Sequence, residues 1–434
     1  MDGYQITSSL ASPARTPDWI SNLTAELEKA TRNIRQRLGN VDDIAQQIFF
    51  LGDGIQRTAT DRFFDLVQPG TWSPAGLAQM ASDTASESLQ FARFFTPGQT
   101  SSLSWLELQN KMEAFLLVGN LPTILGLSAD RLPPLPELVE KAYSLPPFAA
   151  LWAVEGLGHL YADTHWVLNG PPEGLLSQPQ AAVPEKNLLM LHAGMGLAFA
   201  YRMVSGLISQ SPPTQVRGAV QRFVALCRAN SREGYIGAAI EALGLVTRDF
   251  YPELVRKISQ ALAEADPGST GFFWHGAGRA LYFSRAYFLP ILRTPWSAID
   301  KEGSTNLERL NLMAGLAWAV TLVNMRNPRI IENILNSYVQ QSSLKDGFAN
   351  GVSSSIVMRE DTTPGATFVR EFCTYRPNCA GTESSRLWKT LVTVACKEAW
   401  ESYPQLKRNH LLDQVFKYRD TGHQDEQIGD ILGR

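Results

Sequence analysis

Ionisable side chains interrupt several segments of this chain that are otherwise apolar. Glu155 lies within FAALWAVEGLGHLYA, and His275 and Arg279 lie within GFFWHGAGRALYF. Residues four apart share one face of a helix, so Glu155 pairs with His159 and His275 pairs with Arg279. Buried charges are costly unless they are paired, so ionisable residues at these positions need a specific explanation.

The polar positions belong to a pattern that recurs around single glycines. Six segments carry a glycine in matching surroundings, at Gly156, Gly194, Gly234, Gly276, Gly315 and Gly351. Two further ionisable residues fit this pattern, because His192 lies two residues before Gly194 and Glu233 directly precedes Gly234. The candidate catalytic residues are therefore Glu155, His192, Glu233, His275 and Arg279.

Three explanations fit such a cluster. A structural network of ion pairs would tie neighbouring helices together. A functional site would use burial and mutual charge to shift pKa values for acid–base chemistry. A metal site is the third alternative, since histidine and carboxylate ligands, here Glu155, His192, Glu233 and His275, suit iron, zinc or manganese. No His-x-x-x-His or Glu-x-x-His pair occurs in these segments, so we expect neither a metal nor another cofactor.

Aromatic residues one or two turns further along suggest a pocket beside the polar residues. An apolar, aromatic-lined pocket suits a large hydrophobic ligand, and its ring faces stabilise positive charge. Packing in the core is the alternative explanation for the same side chains. The predicted substrate-binding residues are His159, Tyr161, Phe199, Tyr282 and Trp318.

Helices must position these residues. Apolar residues recur at i, i+3 and i+4 through most of the chain, and successive pattern glycines are about 40 residues apart. This period predicts repeated units, each an inner helix followed by a returning helix. Small residues let helices approach closely, which would explain two glycines within one helix. We predict an all-α fold of helical repeats, forming an α/α toroid or a short solenoid.

The chain divides into three predicted regions, and the first boundary lies at the proline-rich run SADRLPPLPELVEKAYSLPPF. Residues 1–132 form an N-terminal helical region, residues 133–358 form the helical-repeat body, and residues 359–434 form a C-terminal helical extension that packs on the body. The segment GVSSSIVMRE, residues 351–360, is the one stretch typical of a strand.

Composition excludes several classes of function. The net charge is -3 and no basic stripe is present, so we expect no nucleic-acid partner. No run of 18 or more apolar residues is free of charges, so no transmembrane segment is expected. Four cysteines in 434 residues do not indicate a disulfide-built protein, and the cytoplasm is the expected compartment. The sequence leaves the oligomeric state open.

The glycine motifs resemble those of one bacterial family. The matching segments are Glu155-Gly156, His192 with Gly194 and Gly196, Glu233-Gly234, GAGRALYF and AGLAWAVTLVNM, in that order. They are similar to a family of uncharacterised function that is encoded among enediyne and other natural-product biosynthesis genes. The similarity covers about residues 148–325. The resemblance implies a role in specialised metabolism.

These observations predict an enzyme that holds a large apolar substrate, an isoprenoid or a polyene, in a helical cavity. The predicted reaction is an acid-initiated cyclisation or isomerisation. Glu155 or Glu233 would be the acid or base, His192 and His275 their partners, and Arg279 would orient a carboxylate or a developing anion. The alternative is a non-catalytic helical-repeat protein that binds a partner or carries an apolar metabolite.

Overall fold

The computed structural model describes residues 99–119, 121–127, 132–177, 183–284, 294–377 and 382–420, together with Arg32. Every regular element among them is helical, which confirms the predicted all-α class. The α-helices are α1 (Gln99–Gly119), α2 (Leu121–Ile124), α3 (Leu135–Tyr143), α4 (Pro147–Asn169), α5 (Leu188–Val204), α6 (Pro213–Asn230), α7 (Ile236–Phe250), α8 (Val255–Ala265), α9 (Thr270–Phe283), α10 (Thr294–Glu302), α11 (Asn306–Asn324), α12 (Pro328–Ile334), α13 (Lys345–Thr362), α14 (Thr367–Thr374), α15 (Glu383–Trp388) and α16 (Val394–Arg408). Short 3₁₀ and π segments connect them, among them a 3₁₀ helix at Leu412–Phe416 and π turns at Leu335–Val339 and Lys389–Thr393.

Local sequence signals account for several helix starts. Proline opens α4, α6 and α12, where its missing N–H group has no helical partner to lose. A capping box opens α11: the Glu308 N–H donates to Thr305 Oγ1 at 3.1 Å, and the Thr305 N–H donates to Glu308 Oε2 at 3.4 Å.

Six helices, α4, α5, α7, α9, α11 and α13, form the centre of the described structure, and we call them the inner helices. Each packs against the next, and these five contacts are the most extensive helix pairs in the described ranges. Neighbours run in the same direction, because Gly271 lies beside Asn311 near the starts of α9 and α11, while Asn324 donates to Tyr282 at their ends. An outer helix such as α8 buries only one stripe, including Ile258 and Leu262.

Paired glycines within the inner helices face two different neighbours. Residues i and i+2 of a helix point about 200° apart, so Gly276 and Gly278 lie on opposite flanks of α9. A Cβ atom on Gly276 would overlap the carbonyl oxygen of Glu241 in α7, and one on Gly278 would overlap that of Leu312 in α11. Each glycine therefore offsets its helix-propensity cost by allowing a close approach to one neighbour.

Glycines also allow a close approach between other neighbouring inner helices. A Cβ atom on Gly194 would overlap the Glu155 carbonyl oxygen, and one on Gly315 would overlap the His275 carbonyl oxygen. The carbonyl groups that Gly194, Gly276 and Gly315 face belong to Glu155, Glu241 and His275, whose side chains are ionisable. Close packing thus sets Glu155, Glu241 and His275 at one level across neighbouring helices.

Two details of the sequence prediction are corrected. Gly234 is not inside a helix: it has φ of +80° in the turn before α7, a conformation that favours glycine. The close-packing glycine of α7 is instead Gly244, which meets the Phe273 carbonyl oxygen. The predicted strand at residues 351–360 is helical and lies within α13, because its apolar residues Val352, Ile356 and Val357 recur at helical spacing and are buried.

The predicted regions meet without a break where they are described. Helix α13 continues through the boundary drawn at residue 358, and α3 lies in the proline-rich stretch near residue 132. Most of residues 1–132 lies outside the described residues. In α13, Arg359 donates to the Pro147 and Phe148 carbonyl oxygens at the start of α4, at 3.1 and 3.3 Å. The choice between toroid and solenoid stays a prediction.

The two ends of the inner helices differ. The segment from residue 411 to 420 crosses their N-terminal parts, which we call the closed end. There the Gly237 N–H of α7 donates to Asp413 at 2.8 Å, and the Tyr418 N–H donates to Asn311 of α11 at 2.8 Å. Phe416 is buried against Trp318 and His275. A cavity lies at the opposite, C-terminal end, which we call the cavity end.

Candidate functional site

Four ionisable side chains meet between the inner helices, and we call them the axial cluster: Glu155, Glu241, His275 and Arg279. The Arg279 guanidinium lies between the two carboxylates, forming an ion pair with Glu155 Oε1 and a 3.4 Å contact with Glu241 Oε2. His275 Nδ1 lies 3.3 Å from Glu241 Oε1. All four residues are buried.

Helix geometry explains why these side chains converge. In α9, Gly276 and Gly278 face the two neighbouring helices on opposite flanks. Of the two remaining faces, the one that carries His275 and Arg279 points inward, toward Glu155 and Glu241. His275 and Arg279 are one turn apart on that inward face. Glu155 and His159 hold the corresponding positions in α4, and Glu241 and Leu245 hold them in α7. The motif polar-Gly-x-Gly-polar therefore places two inward side chains between two close helix contacts.

Burial and mutual charge shift the pKa values of the cluster in different directions. Burial raises the pKa of Glu155, and the adjacent Arg279 opposes this only in part. Burial lowers the pKa of His275 despite the opposing effect of Glu241, so this imidazole is neutral at pH 7. Burial alone would lower the pKa of Arg279, but the two carboxylates reverse the effect and raise it. The cluster therefore contains a permanent cation and a carboxylate that gains a proton more readily than usual.

The guanidinium of Arg279 is also held by aromatic rings. Its central carbon lies 4.8 Å from the ring centroid of Trp318 and 6.0 Å from that of Phe283. Within the described residues, three buried polar atoms of the cluster have no hydrogen-bond partner: Glu155 Oε2, His275 Nε2 and Arg279 Nε. Buried polar groups usually have partners, so these three atoms need a specific explanation.

A cavity of about 310 Å³ lies directly above the axial cluster, at the cavity end. Its wall comes from α1, from the first half and middle of α4, and from the C-terminal parts of α5, α7 and α9. The lining is mostly apolar, and Arg279, His159 and Asp249 are its ionisable residues. The aromatic members of the lining are Phe115, Trp152, Tyr201, Phe250 and Phe283.

His159 is the histidine that lines this cavity. Burial lowers its pKa, and the attraction of Asp163 opposes this only in part, so the imidazole is neutral at pH 7. No hydrogen bond to His159 is formed by the described part of the chain, whereas Asp163 is engaged by Arg202 at 2.5 Å. A neutral imidazole on the cavity wall can accept or donate a proton.

The structure separates two candidate catalytic residues from the cluster. His192 has both ring nitrogens bound to backbone: Nδ1 donates to the Leu188 carbonyl oxygen at 2.6 Å, and Nε2 accepts from the Arg232 N–H at 3.1 Å. Burial lowers its pKa to about 4, so it is neutral. Glu233 is exposed in the turn that contains Gly234. Neither residue lines the cavity.

Of the five predicted substrate-binding residues, His159 lines the cavity. Trp318 lies beneath it, stacked on Arg279. Tyr282 instead joins three helices, because its hydroxyl donates to Glu107 of α1 at 3.0 Å and accepts from Asn324 of α11 at 2.9 Å. Phe199 packs on Trp166 in the core, and Tyr161 is a half-buried part of the same core.

Sequence reasoning missed Glu241 as a cluster member and Asp249, Tyr201 and Phe115 as lining residues. Glu241 was detectable, because it precedes Gly244 by three residues as His275 precedes Gly278. The pattern glycine Gly234 points instead to Glu233, the residue directly before it. No sequence pattern identifies Phe115 as a lining residue, because nothing in the sequence indicates that α1 closes one side of a cavity formed by the inner helices.

The residues weighed as metal ligands do not meet, because His192 and Glu233 lie apart from Glu155 and His275. Across the described ranges, no group of three or more His, Cys, Asp or Glu side chains has an arrangement that could hold a metal ion.

None of the described helices has the length and apolarity needed to cross a membrane.

Comparisons with known proteins assign no class to this arrangement. No family model matches the chain, and neither a curated protein nor a solved structure is significantly similar to it. The fold and the site geometry therefore carry the functional argument.

Proposed function

We propose that this protein binds a small, largely apolar molecule in the cavity at the ends of the inner helices. The observation that carries the proposal is the cavity itself: about 310 Å³, walled by apolar and aromatic side chains, with Arg279 and His159 on its surface. A few polar groups on an apolar wall are the usual composition of small-molecule sites, because they orient a ligand that the apolar wall binds.

The axial cluster supports this role by fixing Arg279. Two carboxylates and the Trp318 ring hold the guanidinium, so little side-chain freedom is lost when a ligand contacts it. Glu155 does not line the cavity, so it acts on a ligand through Arg279. An isoprenoid or a polyene of natural-product biosynthesis is the ligand class we propose.

Catalysis is the second candidate function, and the state of His159 favours it. This neutral imidazole lines the cavity and has no hydrogen-bond partner in the described ranges, so it is suited to removing or delivering a proton. The proposed reaction is an isomerisation or cyclisation, in which the aromatic wall stabilises developing positive charge. The alternative is a carrier that binds the same ligand without transforming it.

Binding is tested by filling the cavity. Farnesol, an isoprenoid alcohol, is the probe, and binding is measured by thermal shift and by native mass spectrometry. Leu245→Trp should weaken binding at least about 10-fold, since the larger ring occupies the cavity. Leu307→Trp, at a position 60% exposed and away from the cavity, is the matched control and should bind as the wild type does. Equal binding by both variants would place the ligand site elsewhere.

Enzyme and carrier are separated at His159. For an enzyme, His159→Gln should lower turnover of an isoprenoid substrate by about 10²–10⁴-fold, while Kd for the probe changes only a few-fold. Products are followed by gas chromatography with mass spectrometry. Binding of the probe with no product from a panel of isoprenoid and polyene substrates would favour the carrier.

A further inference from the structure

Two hydrogen-bond donors belong to the floor of the cavity, the part next to the axial cluster, and have no partner among the described residues. They are the indole Nε1–H of Trp152 and the Nε–H of Arg279. Both residues line the cavity, and they are only 1% and 3% exposed. A buried N–H group without a partner is costly, because it has given up its hydrogen bond to water. These two donors therefore require an acceptor from outside the described part of the chain.

The two donors are neighbours, because Trp152 and Arg279 pack on the same two aromatic rings. The centroid of the Trp152 ring lies 5.9 Å from that of Phe283 and 6.4 Å from that of Trp318. The guanidinium carbon of Arg279 lies 6.0 Å and 4.8 Å from the same two centroids. One polar atom of a ligand on the cavity floor can therefore approach both N–H groups.

The charges around Arg279 determine which kind of acceptor fits. The Nη atoms of the guanidinium already contact Glu155 and Glu241, so its single positive charge faces two carboxylates. Asp249 is a further acidic residue on the cavity wall. An anionic group on a ligand would therefore find no net positive charge here, and burying its own charge would be costly. An uncharged oxygen avoids this cost and still accepts hydrogen bonds.

We propose that the ligand carries an uncharged oxygen, in a carbonyl or a hydroxyl group, which accepts hydrogen bonds from Trp152 Nε1 and Arg279 Nε. The two lone pairs of such an oxygen match the two donors. The inference rests on the proposed function and narrows its ligand class to an apolar aldehyde, ketone or alcohol, rather than a hydrocarbon or an acid. The apolar wall binds the carbon skeleton, and the two donors orient its polar end.

The test compares four probes that share one isoprenoid skeleton: farnesal, farnesol, farnesene and farnesoic acid. Native mass spectrometry and thermal shift titrations near neutral pH measure their affinities. Farnesal, farnesol or both should bind at least about 10-fold more tightly than farnesene, because the hydrocarbon leaves both N–H groups without an acceptor. Farnesoic acid is ionised at this pH and should also bind at least about 10-fold more weakly than the better oxygen probe. The tighter of farnesal and farnesol identifies the oxygen group as carbonyl or hydroxyl.

Trp152→Phe removes one donor and keeps an aromatic ring in the cavity wall. The affinity of this variant for the better oxygen probe should fall about 5–10-fold, while its affinity for farnesene changes less than about 2-fold. Both affinities are measured on one protein sample, so partial unfolding of the variant does not alter their ratio. Infrared spectroscopy of bound farnesal gives a second measurement. Its carbonyl stretching frequency should be lowered in the wild type and less lowered in the variant, because the hydrogen bond from Trp152 is lost.

Trp388→Phe is the matched control. The indole N–H of Trp388 is also buried without a partner in the described ranges, but its ring packs on Phe372 and Tyr375 and does not line the cavity. This variant should bind all four probes as the wild type does. An equal loss of affinity in Trp388→Phe and Trp152→Phe would overturn the assignment of Trp152 as a donor to the ligand.

The series separates this inference from the proposed function. Equal affinities for farnesene and the two oxygen probes would overturn the inference and leave the apolar cavity as the binding site. Tightest binding of farnesoic acid would also overturn it, since the cavity floor would then attract an anion. If none of the four probes binds, the proposed function fails and this inference fails with it.

Discussion

The two ends of the inner helices show how one architecture makes a structural junction and a candidate site. At the closed end, polar side chains are bound to backbone: Asp413 and Asn311 accept from N–H groups, and Asn350 donates to the Arg419 carbonyl oxygen at 3.1 Å. At the cavity end, His159 and Arg279 border a space large enough for a ligand. Polarity alone therefore does not mark the site, whereas ionisable side chains on the wall of a cavity do.

The histidines repeat this lesson. His192 and His275 are both fully buried in inner helices, and both are neutral at pH 7. His192 uses both nitrogens to fasten α5 to the turn before α7, whereas His275 leaves Nε2 without a partner within the described residues. A histidine with two backbone partners has a structural role, and its sequence neighbourhood does not reveal this.

The inner helices pack closely at the axial cluster, between the two ends, because glycines allow it. We therefore expect Gly276→Ala to have the largest effect on stability. The added Cβ meets the Glu241 carbonyl oxygen, a backbone atom, so α7 and α9 must move apart. We expect a loss of about 4 kcal/mol or more in the free energy of unfolding, measured with urea.

Gly218 supplies the matched control for that substitution. It lies in the outer helix α6, where an added Cβ would meet only Arg222 Nη1 at 3.6 Å. Gly218→Ala should be neutral or stabilise the protein by up to about 1 kcal/mol, because alanine favours the helix. Similar losses in both variants would show that the inner helices do not need close approach.

Arg279→Met should produce the next largest loss. It leaves Glu155 and Glu241 buried without their cation, which costs about 3–5 kcal/mol near neutral pH. Because the pKa of Glu155 is already raised, this carboxylate takes up a proton readily as the pH falls. The deficit should therefore shrink between pH 8 and pH 5 in urea titrations.

Arg359→Met is the control, since this arginine donates to three backbone carbonyl oxygens and burial lowers its pKa to about 9. It should cost about 1–3 kcal/mol, with little change over the same pH range. A pH-independent deficit in Arg279→Met would mean that the carboxylates do not depend on this guanidinium.

Sequence reasoning reached the helical class and three of the four members of the axial cluster for physical reasons. Helical periodicity and glycine spacing are properties of single segments, so they predicted the inner helices and placed Glu155, His275 and Arg279 on inward faces. Glu233 was predicted in place of Glu241 because the sequence does not distinguish a glycine in a turn, such as Gly234, from a glycine at a helix contact, such as Gly244. The cavity was not predictable in detail, because Phe115 and Asp249 reach it only through the way α1 and α7 pack.

His192 extends the comparison to the closed end with a pH-dependent effect. Its unfolded pKa is 6.5 and its folded pKa is about 4, so below pH 6.5 the unfolded chain binds a proton that the folded chain refuses. Stability should fall as the pH drops through this window, by about 3 kcal/mol in total from this residue.

His192→Asn removes this titration, and its side-chain amide can still donate to the Leu188 carbonyl oxygen. Its stability should decline less than that of the wild type between pH 6.5 and pH 4, measured by urea unfolding. Farnesol binding should be unchanged, since His192 does not line the cavity. Weakened binding would place this histidine in the functional site after all.

Glu155→Gln should give the smallest change in stability, and it is the most informative about the axial cluster. Burial raises the folded pKa of Glu155 above its ordinary value of 4.5, so the folded chain holds this proton after the unfolded chain has lost it. In the wild type this residue therefore removes stability as the pH rises above 4.5. The glutamine variant lacks that slope and still offers an oxygen to Arg279, so we expect a change within about 1 kcal/mol at pH 7. Urea unfolding of both proteins from pH 4 to pH 8 measures the difference in slope.

If Glu155 acts through Arg279, farnesol affinity should fall only a few-fold. A loss of several kcal/mol with normal binding would instead make Glu155 a purely structural tie and remove the cluster from the functional site.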